Sequence, residues 1–233
     1  MIQDDPQVPI VELLPAFEEQ TGLGAHPRGA SRAALDAKTP LGAELRVLAL
    51  RLRALGRDKR LRRIGVVGAV PGEGSTTVAL GLARALAAQP QERVLLLELD
   101  FEHPALDREL RLDPPETGVV RFLEGQGDVP LLRHPVPGLW VLSAGAARRP
   151  APTGGAARRL LQLLSAADRV FDYVVGDCPP LSDGRSGLHP QDQMDASLFV
   201  VRSRRQPLDA LRRAARQLRP DQVLGMVLNR YDG

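Results

Sequence analysis

Short apolar runs alternate along the chain with stretches whose apolar residues recur at helical spacing. The apolar runs have the length of buried strands and cover 64–70, 94–99, 139–142, 173–177, 198–201 and 223–228. Helical periodicity covers 75–88, 156–167 and 208–218, and residues 104–135 are predicted to be loops around a short helix at 119–123. Strands alternating with helices predict an α/β fold of three layers, with helices on both faces of a mostly parallel, doubly wound sheet.

A further amphipathic helix is predicted ahead of the first strand, over residues 40–56. Pro40 suits the first helical position, and one apolar stripe follows it, made of Leu41, Leu45, Leu48, Leu52 and Leu55. The stripe favours packing on the helix's own domain. A contact with another subunit or with a membrane surface is the alternative.

The first 38 residues differ in composition from the rest of the chain. They are rich in Pro, Gly, Ala and charged residues, with only short apolar patches such as 8–14. This composition predicts a flexible N-terminal arm at 1–38, followed by one domain at 39–233.

Composition narrows the class of protein. A 233-residue chain that is 43% hydrophobic is long enough for one α/β domain with a substantial core. Its net charge of +3 comes from scattered arginines, and with 3% aromatic residues no nucleic-acid partner is expected. A single cysteine, Cys178, excludes an internal disulfide and indicates a reducing compartment. Without an apolar run near ~20 residues or a signal-like start, a cytoplasmic location is expected.

The most informative stretch is the turn between the first strand and its helix. Gly72 and Gly74 allow backbone N–H groups to point at an anion, and the helix that follows presents its positive end to the same place. A Walker A loop ends Gly-Lys-Ser/Thr, whereas Gly74 is followed here by Ser75, Thr76 and Thr77. The stretch therefore predicts a phosphate-binding loop that lacks its lysine.

Acidic residues close two of the predicted strands. Glu98 and Asp100 lie at the end of one strand and Asp177 at the end of another, where an open α/β sheet binds its ligands. Asp177 ends an apolar strand as a Walker B aspartate does, so Thr76, Asp100 and Asp177 are the candidate Mg²⁺ ligands. The alternative is that Thr76 only begins the helix and that the aspartates only cap loops.

The order of these motifs is recognisable. From Thr39 to its end the chain resembles the cytoplasmic domain of bacterial tyrosine kinases (BY-kinases) of capsule and exopolysaccharide synthesis, within the MinD/ParA-like class of P-loop ATPases. The resemblance rests on PGEG at 71–74 with Thr76 and Thr77, LLLELDFEHP at 95–104, YVVGDCPP at 173–180 and VLGMVLN at 223–229.

The resemblance implies a three-layer P-loop NTPase fold and a site for ATP or ADP with Mg²⁺. Matched position by position, the family's motifs imply a weak catalytic assignment for Glu98 and Asp100. They also imply a set of nucleotide-binding residues: Pro71, Gly72, Glu73, Gly74, Ser75, Thr76, Thr77 and Asn229. Asn229 matches a position that in this class often contacts the base. The implied partner is a membrane-embedded polysaccharide co-polymerase or export protein, engaged at the cytoplasmic face of the membrane.

The chain departs from the family at the residues that carry charge. Ser75 replaces the family's lysine, and Glu102 replaces an arginine of the motif at 95–104. Ser186 replaces an aspartate that follows the double proline in the family. The chain has only two tyrosines, Tyr173 and Tyr231, and lacks the C-terminal tyrosine cluster. In the pattern that forms rings in the family, two of the three positions are alanines, Ala43 and Ala49, so the sequence leaves homo-oligomer formation open.

These departures favour a protein with an impaired catalytic site and weakened affinity for nucleotide, retained as a regulatory or scaffolding partner. Two alternatives stay open. One is an active ATPase or tyrosine kinase that takes its cation from Arg204, Arg205 or a neighbouring subunit. The other is a MinD/ParA-like positioning ATPase that binds membrane through the helix at 40–56.

Overall fold

The computed structural model of the chain describes residues 36, 38–59, 61–111, 118–126, 132–133, 136–145, 154–183, 188–204 and 206–229. The predicted arm at 1–38 therefore lies almost wholly outside the described residues. Ser186, Arg205 and Tyr231 lie outside them as well.

Seven strands form one twisted sheet. They are β1 (Arg63–Gly68), β2 (Val94–Glu98), β3 (Leu132–Arg133), β4 (Leu139–Leu142), β5 (Tyr173–Asp177), β6 (Ala196–Arg202) and β7 (Val223–Asn229). Their order is β3-β4-β2-β5-β1-β6-β7, and all neighbouring pairs are parallel except β3 with β4. The predicted doubly wound parallel sheet is confirmed, and the two-residue antiparallel strand β3 is an addition in a region predicted to be loop.

Six α-helices belong to the described part of the chain. They are α1 (Pro40–Lys59), α2 (Ser75–Ala87), α3 (Leu106–Leu110), α4 (Val119–Leu123), α5 (Ala156–Ala167) and α6 (Leu208–Ala215). Two apolar cores result, one on each face of the sheet: α1, α2 and α3 contribute to one, and α4, α5 and α6 to the other. On β1 the neighbours Val66 and Val67 enter opposite cores. Burial on both faces explains why the central strands are continuous apolar runs.

The helix predicted at 40–56 is observed as α1 and packs against α2. Leu45, Ala49 and Leu52 are fully buried there, whereas Leu55 is 41% exposed, so the buried stripe ends before the last predicted leucine. Packing on its own domain therefore accounts for the centre of the stripe. Among the described residues, no helix is both long enough and apolar enough to cross a bilayer.

Candidate functional site

The phosphate-binding loop predicted from the sequence joins the carboxyl end of β1 to the first turn of α2. Gly72 and Gly74 both have positive φ, 82° and 97°, a conformation that favours glycine. No side chain caps the first turn of α2, so its backbone N–H groups and the positive end of the helix dipole face the loop. Ser75, Thr76 and Thr77 are partly exposed there. The backbone thus provides an anion cradle without the lysine.

Two side chains hold this loop against the last two strands. Glu73 is buried, and its Oε2 accepts a hydrogen bond from the backbone N–H of Arg202 at the end of β6. Asn229, at the end of β7, donates from Nδ2 to the backbone oxygen of Glu73 over 2.8 Å. A Cβ at Gly74 would come within 2.1 Å of the same Nδ2, so the Asn229 amide requires glycine at this position.

This contact adds a structural role for Asn229 that the sequence did not predict. In the structure its amide fixes the loop, while the predicted contact with the base stays a prediction. The inward position of Glu73 was also missed, because a charged residue in a glycine-rich turn normally predicts exposure. The long separation along the chain, 156 residues between Asn229 and Glu73, leaves no local signal for either contact.

The three acidic residues meet at the carboxyl edge of neighbouring strands. Glu98 of β2 and Asp177 of β5 are paired in register, and Asp100 follows Glu98 by two residues. Glu98 is buried and accepts from the N–H groups of Ala105 and Leu106, at 2.8 and 3.0 Å, and more weakly from that of Asp100. Its carboxylate therefore anchors the segment that leads into α3, and a catalytic role for it stays a prediction.

Asp177 is the unusual member of this group. It is 1% exposed, and neither carboxylate oxygen has a hydrogen-bond partner of normal geometry among the described residues. Burial raises the pKa of Asp177 to about 7; the nearby Thr76 hydroxyl opposes this shift and the charge of Asp100 adds to it. Burial, reinforced by the charge of Asp177, also raises the pKa of Glu98 well above its usual value. This edge of the sheet thus gathers acidic groups whose ionised forms a cation would stabilise.

The arrangement fits Mg²⁺ only together with other ligands. The described residues contain no group of three or more His, Cys, Asp or Glu side chains placed to hold a metal alone. Mg²⁺ bound to nucleotide usually takes one or two carboxylates, with phosphate and water supplying the rest. Asp177, whose two carboxylate oxygens are buried, and the half-buried Asp100 and Thr76 are suited to that role.

Cys178 and His103 also lie near these acidic residues. Cys178 is buried, and burial raises the pKa of its thiol, so it remains protonated and fills space in the core. Asp100 accepts a hydrogen bond from the His103 N–H at 2.9 Å, and its Oδ1 lies 3.7 Å from His103 Nδ1. His103 is exposed and lies within the motif at 95–104.

Known proteins resemble this chain in sequence and in structure. No family model matches the chain. The tyrosine-protein kinase CpsD of Streptococcus pneumoniae serotype 4 is 26% identical over 178 residues, which cover 74% of this chain and 78% of CpsD. The succinoglycan biosynthesis transport protein ExoP of Rhizobium meliloti is 30% identical over 178 residues, 73% of this chain but only 22% of ExoP.

Solved structures agree with these relatives. The BceF tyrosine kinase domain superposes with a TM-score of 0.69 at 26% identity, covering 96% of this chain and 90% of that domain. MinD and ParA-family ATPases share the fold at lower similarity. CpsD and BceF are named as bacterial tyrosine kinases, and with the MinD and ParA-family ATPases the chain shares the P-loop fold. The predicted resemblance and fold class are confirmed.

Replacing Asp177 by Asn is expected to stabilise the fold in a pH-dependent manner. The folded state keeps the Asp177 proton up to about pH 7, whereas an unfolded aspartate releases it near pH 4. The native state thus binds more protons than the unfolded state between these values, and stability falls as pH rises through that window. The advantage of Asp177→Asn in free energy of unfolding should grow from about pH 4 to 7, to a few kcal/mol, and then level off.

Urea unfolding at several pH values between about 4 and 8 measures this advantage. Asp209→Asn is the matched control, because the side chain of Asp209 is 77% exposed and its substitution should leave the pH dependence unchanged. Parallel pH profiles for Asp177→Asn and the wild-type protein would contradict a buried Asp177 with a raised pKa.

Proposed function

We propose that this relative of the bacterial tyrosine kinases is a P-loop protein with an impaired catalytic site that serves as a regulatory or scaffolding partner in polysaccharide biosynthesis or export. It acts at the cytoplasmic face of the membrane, beside a membrane-embedded co-polymerase or export protein. The observation that carries the proposal is Ser75, which begins α2 at the position of the family's lysine, and the next residue, Thr76, lies near the buried Asp177.

The loss of charge is large for phosphoryl transfer. Relative to the family pattern, Ser75 removes one positive charge, and Glu102 replaces a positive with a negative charge, so the two motifs become more negative by three. Catalysis of phosphoryl transfer depends on neutralising charge on the transferred group, and one cationic residue can contribute ~10³ or more in rate. Losing the lysine's charged hydrogen bonds, each about 1.5–3 kcal/mol, weakens nucleotide binding as well.

Binding itself is retained in this proposal. The backbone cradle at Gly72 and Gly74 does not depend on the lysine, and Thr76 with Asp177 supplies the protein's share of a Mg²⁺ site. When bound, Mg²⁺ would neutralise both the phosphates and the carboxylate edge. Nucleotide then serves as a ligand that sets the conformation of the loop, and its turnover is not required.

A partner-binding role is supported by a groove next to the loop. The groove, about 740 Å³, lies between α1, the start of α2 and the edge strand β7, and it reaches Gly74, Thr77 and Asn229. Met226 and Leu228 in its wall are 63% and 49% exposed, which is unusual for apolar residues of a strand. We assign this groove to a cytoplasmic segment of the membrane partner, since a segment bound there would sense the state of the loop directly.

Restoring the missing cation tests the impaired site. Ser75→Lys is expected to bind Mg-ATP about 10- to 100-fold more tightly than the wild-type protein, since one charged group is regained. Isothermal titration calorimetry measures both constants, and Ser75→Ala, which adds no charge, is the matched control.

Equal affinity of Ser75→Lys and the wild-type protein would contradict the proposal. So would ATP turnover by the wild-type protein that is lost in both Asp177→Ala and Arg204→Gln. Arg204 lies exposed at a positive φ just beyond the end of β6, and such a loss would assign it the role of compensating cation.

The partner role is tested at the groove. Met226→Asp is expected to reduce recovery of the membrane partner at least about fivefold in co-purification from native membranes, because a charge replaces an apolar contact. Val223→Asp is the matched control: Val223 is 40% exposed on the same strand but does not line the groove.

Mass spectrometry identifies the recovered protein. The proposal fails if the wild-type chain brings down no polysaccharide co-polymerase or export protein. It also fails in its assignment of the groove if both variants recover the partner equally well.

A further inference from the structure

A second cavity lies at the other end of α2, remote from the phosphate-binding loop. Its volume is about 430 Å³, and it is bounded by α1, the last turn of α2, the turn at 88–90 and the segment 136–137. Much of its lining is small or apolar, including Gly42, Gly81 and Ala85. Because α2 has 13 residues, the two sites are separated along it by about 20 Å.

Two arginines from different helices line this cavity. Arg46 belongs to α1 and is exposed, and Arg84 belongs to α2 and is half-buried. The Nε atom of Arg84 is inaccessible to solvent and has no hydrogen-bond acceptor among the described residues. Because Arg84 lines the cavity, the other N–H groups of its guanidinium are the donors available to a ligand there.

The neighbouring Arg53 binds the acceptors at the end of α2. The Arg53 guanidinium binds Glu92 through two nitrogens and also donates to the backbone oxygens of Ala85 and Leu86. Arg53 therefore occupies the Glu92 carboxylate and two backbone acceptors at the end of α2. Arg84 directly precedes these two backbone acceptors on the helix and lines the cavity.

The two arginines place positive charge around the cavity, and Asp36 offsets part of it. Burial lowers the pKa of Arg84, the charge of Asp36 opposes this shift, and the charge of Arg46 adds to it. Within the part of the chain that the structure describes, neither arginine forms an ion pair, although Asp36 is close enough to act on Arg84 through space. Two guanidinium groups around one space match the geometry and charge of a phosphate group.

We propose that this cavity is a second anion site, which binds a phosphomonoester of a small organic molecule. Arg46 and Arg84 bind the phosphate, and the glycine, alanine and proline lining contacts the organic part, for which 430 Å³ leaves room. The site is independent of the phosphate-binding loop, and because it lies between α1 and α2, its occupancy braces the helix pair that packs behind that loop.

Arginine Nε–Hε resonances in ¹H–¹⁵N spectra of the full chain test the site directly. The Arg84 resonance is identified by its absence in Arg84→Lys, and phenyl phosphate, inorganic phosphate and benzoate are then titrated in. Phenyl phosphate should shift the Arg84 resonance saturably and at least about threefold more tightly than inorganic phosphate, since only the ester fills the apolar part. Benzoate should bind at least about tenfold more weakly than phenyl phosphate, because its carboxylate offers less charge to two arginines.

The matched variants separate this site from others. Arg46→Gln should weaken phenyl phosphate binding by about tenfold, whereas Arg213→Gln, an exposed arginine of α6, should leave it unchanged. The proposal is overturned if the Arg84 resonance does not move, if benzoate binds as well as phenyl phosphate, or if Arg46→Gln binds normally. Shifts confined to the amides of Gly72 and Gly74 would report the phosphate-binding loop and count against a second site.

Discussion

The electrostatics of the site depend on one buried carboxylate, Asp177, at the centre of the sheet. Its neighbours in space are Glu98 and Asp100, so the site contains three acidic groups along one edge. A carboxylate in this position is stable only when it is protonated or paired with a cation. In a complete P-loop site, lysine and Mg²⁺ share the neutralisation of phosphate and carboxylates, whereas under the proposed function the loop of this chain leaves that task to Mg²⁺.

The loop itself is held by contacts that do not involve the missing lysine. Glu73 and Asn229 fasten it to β6 and β7, and Gly72 and Gly74 give the backbone its path. The shape of the cradle therefore does not depend on a lysine at position 75. The same contacts also connect the loop to β7, whose exposed apolar residues border the groove assigned to the partner.

Much of this arrangement was predictable because it depends on local pattern. The apolar runs give the parallel strands, and the glycines with their flanking strand and helix give the phosphate-binding loop. The roles of Glu73 and Asn229 were not predictable, since both depend on which strand ends meet across 156 residues. The backbone hydrogen bonds of Glu98 depend on the path of the loop into α3, and the short strand β3 depends on pairing with β4.

Under the proposed function, the loop binds phosphate by its backbone and relies on Mg²⁺ for charge. Calorimetric titration of the wild-type protein with ATP, in the presence and in the absence of Mg²⁺, tests this directly. We expect measurable binding with Mg²⁺ and a loss of at least about tenfold in affinity without it. Equal affinity under the two conditions would show that another cation of the protein neutralises the phosphates, and would contradict the reliance on Mg²⁺.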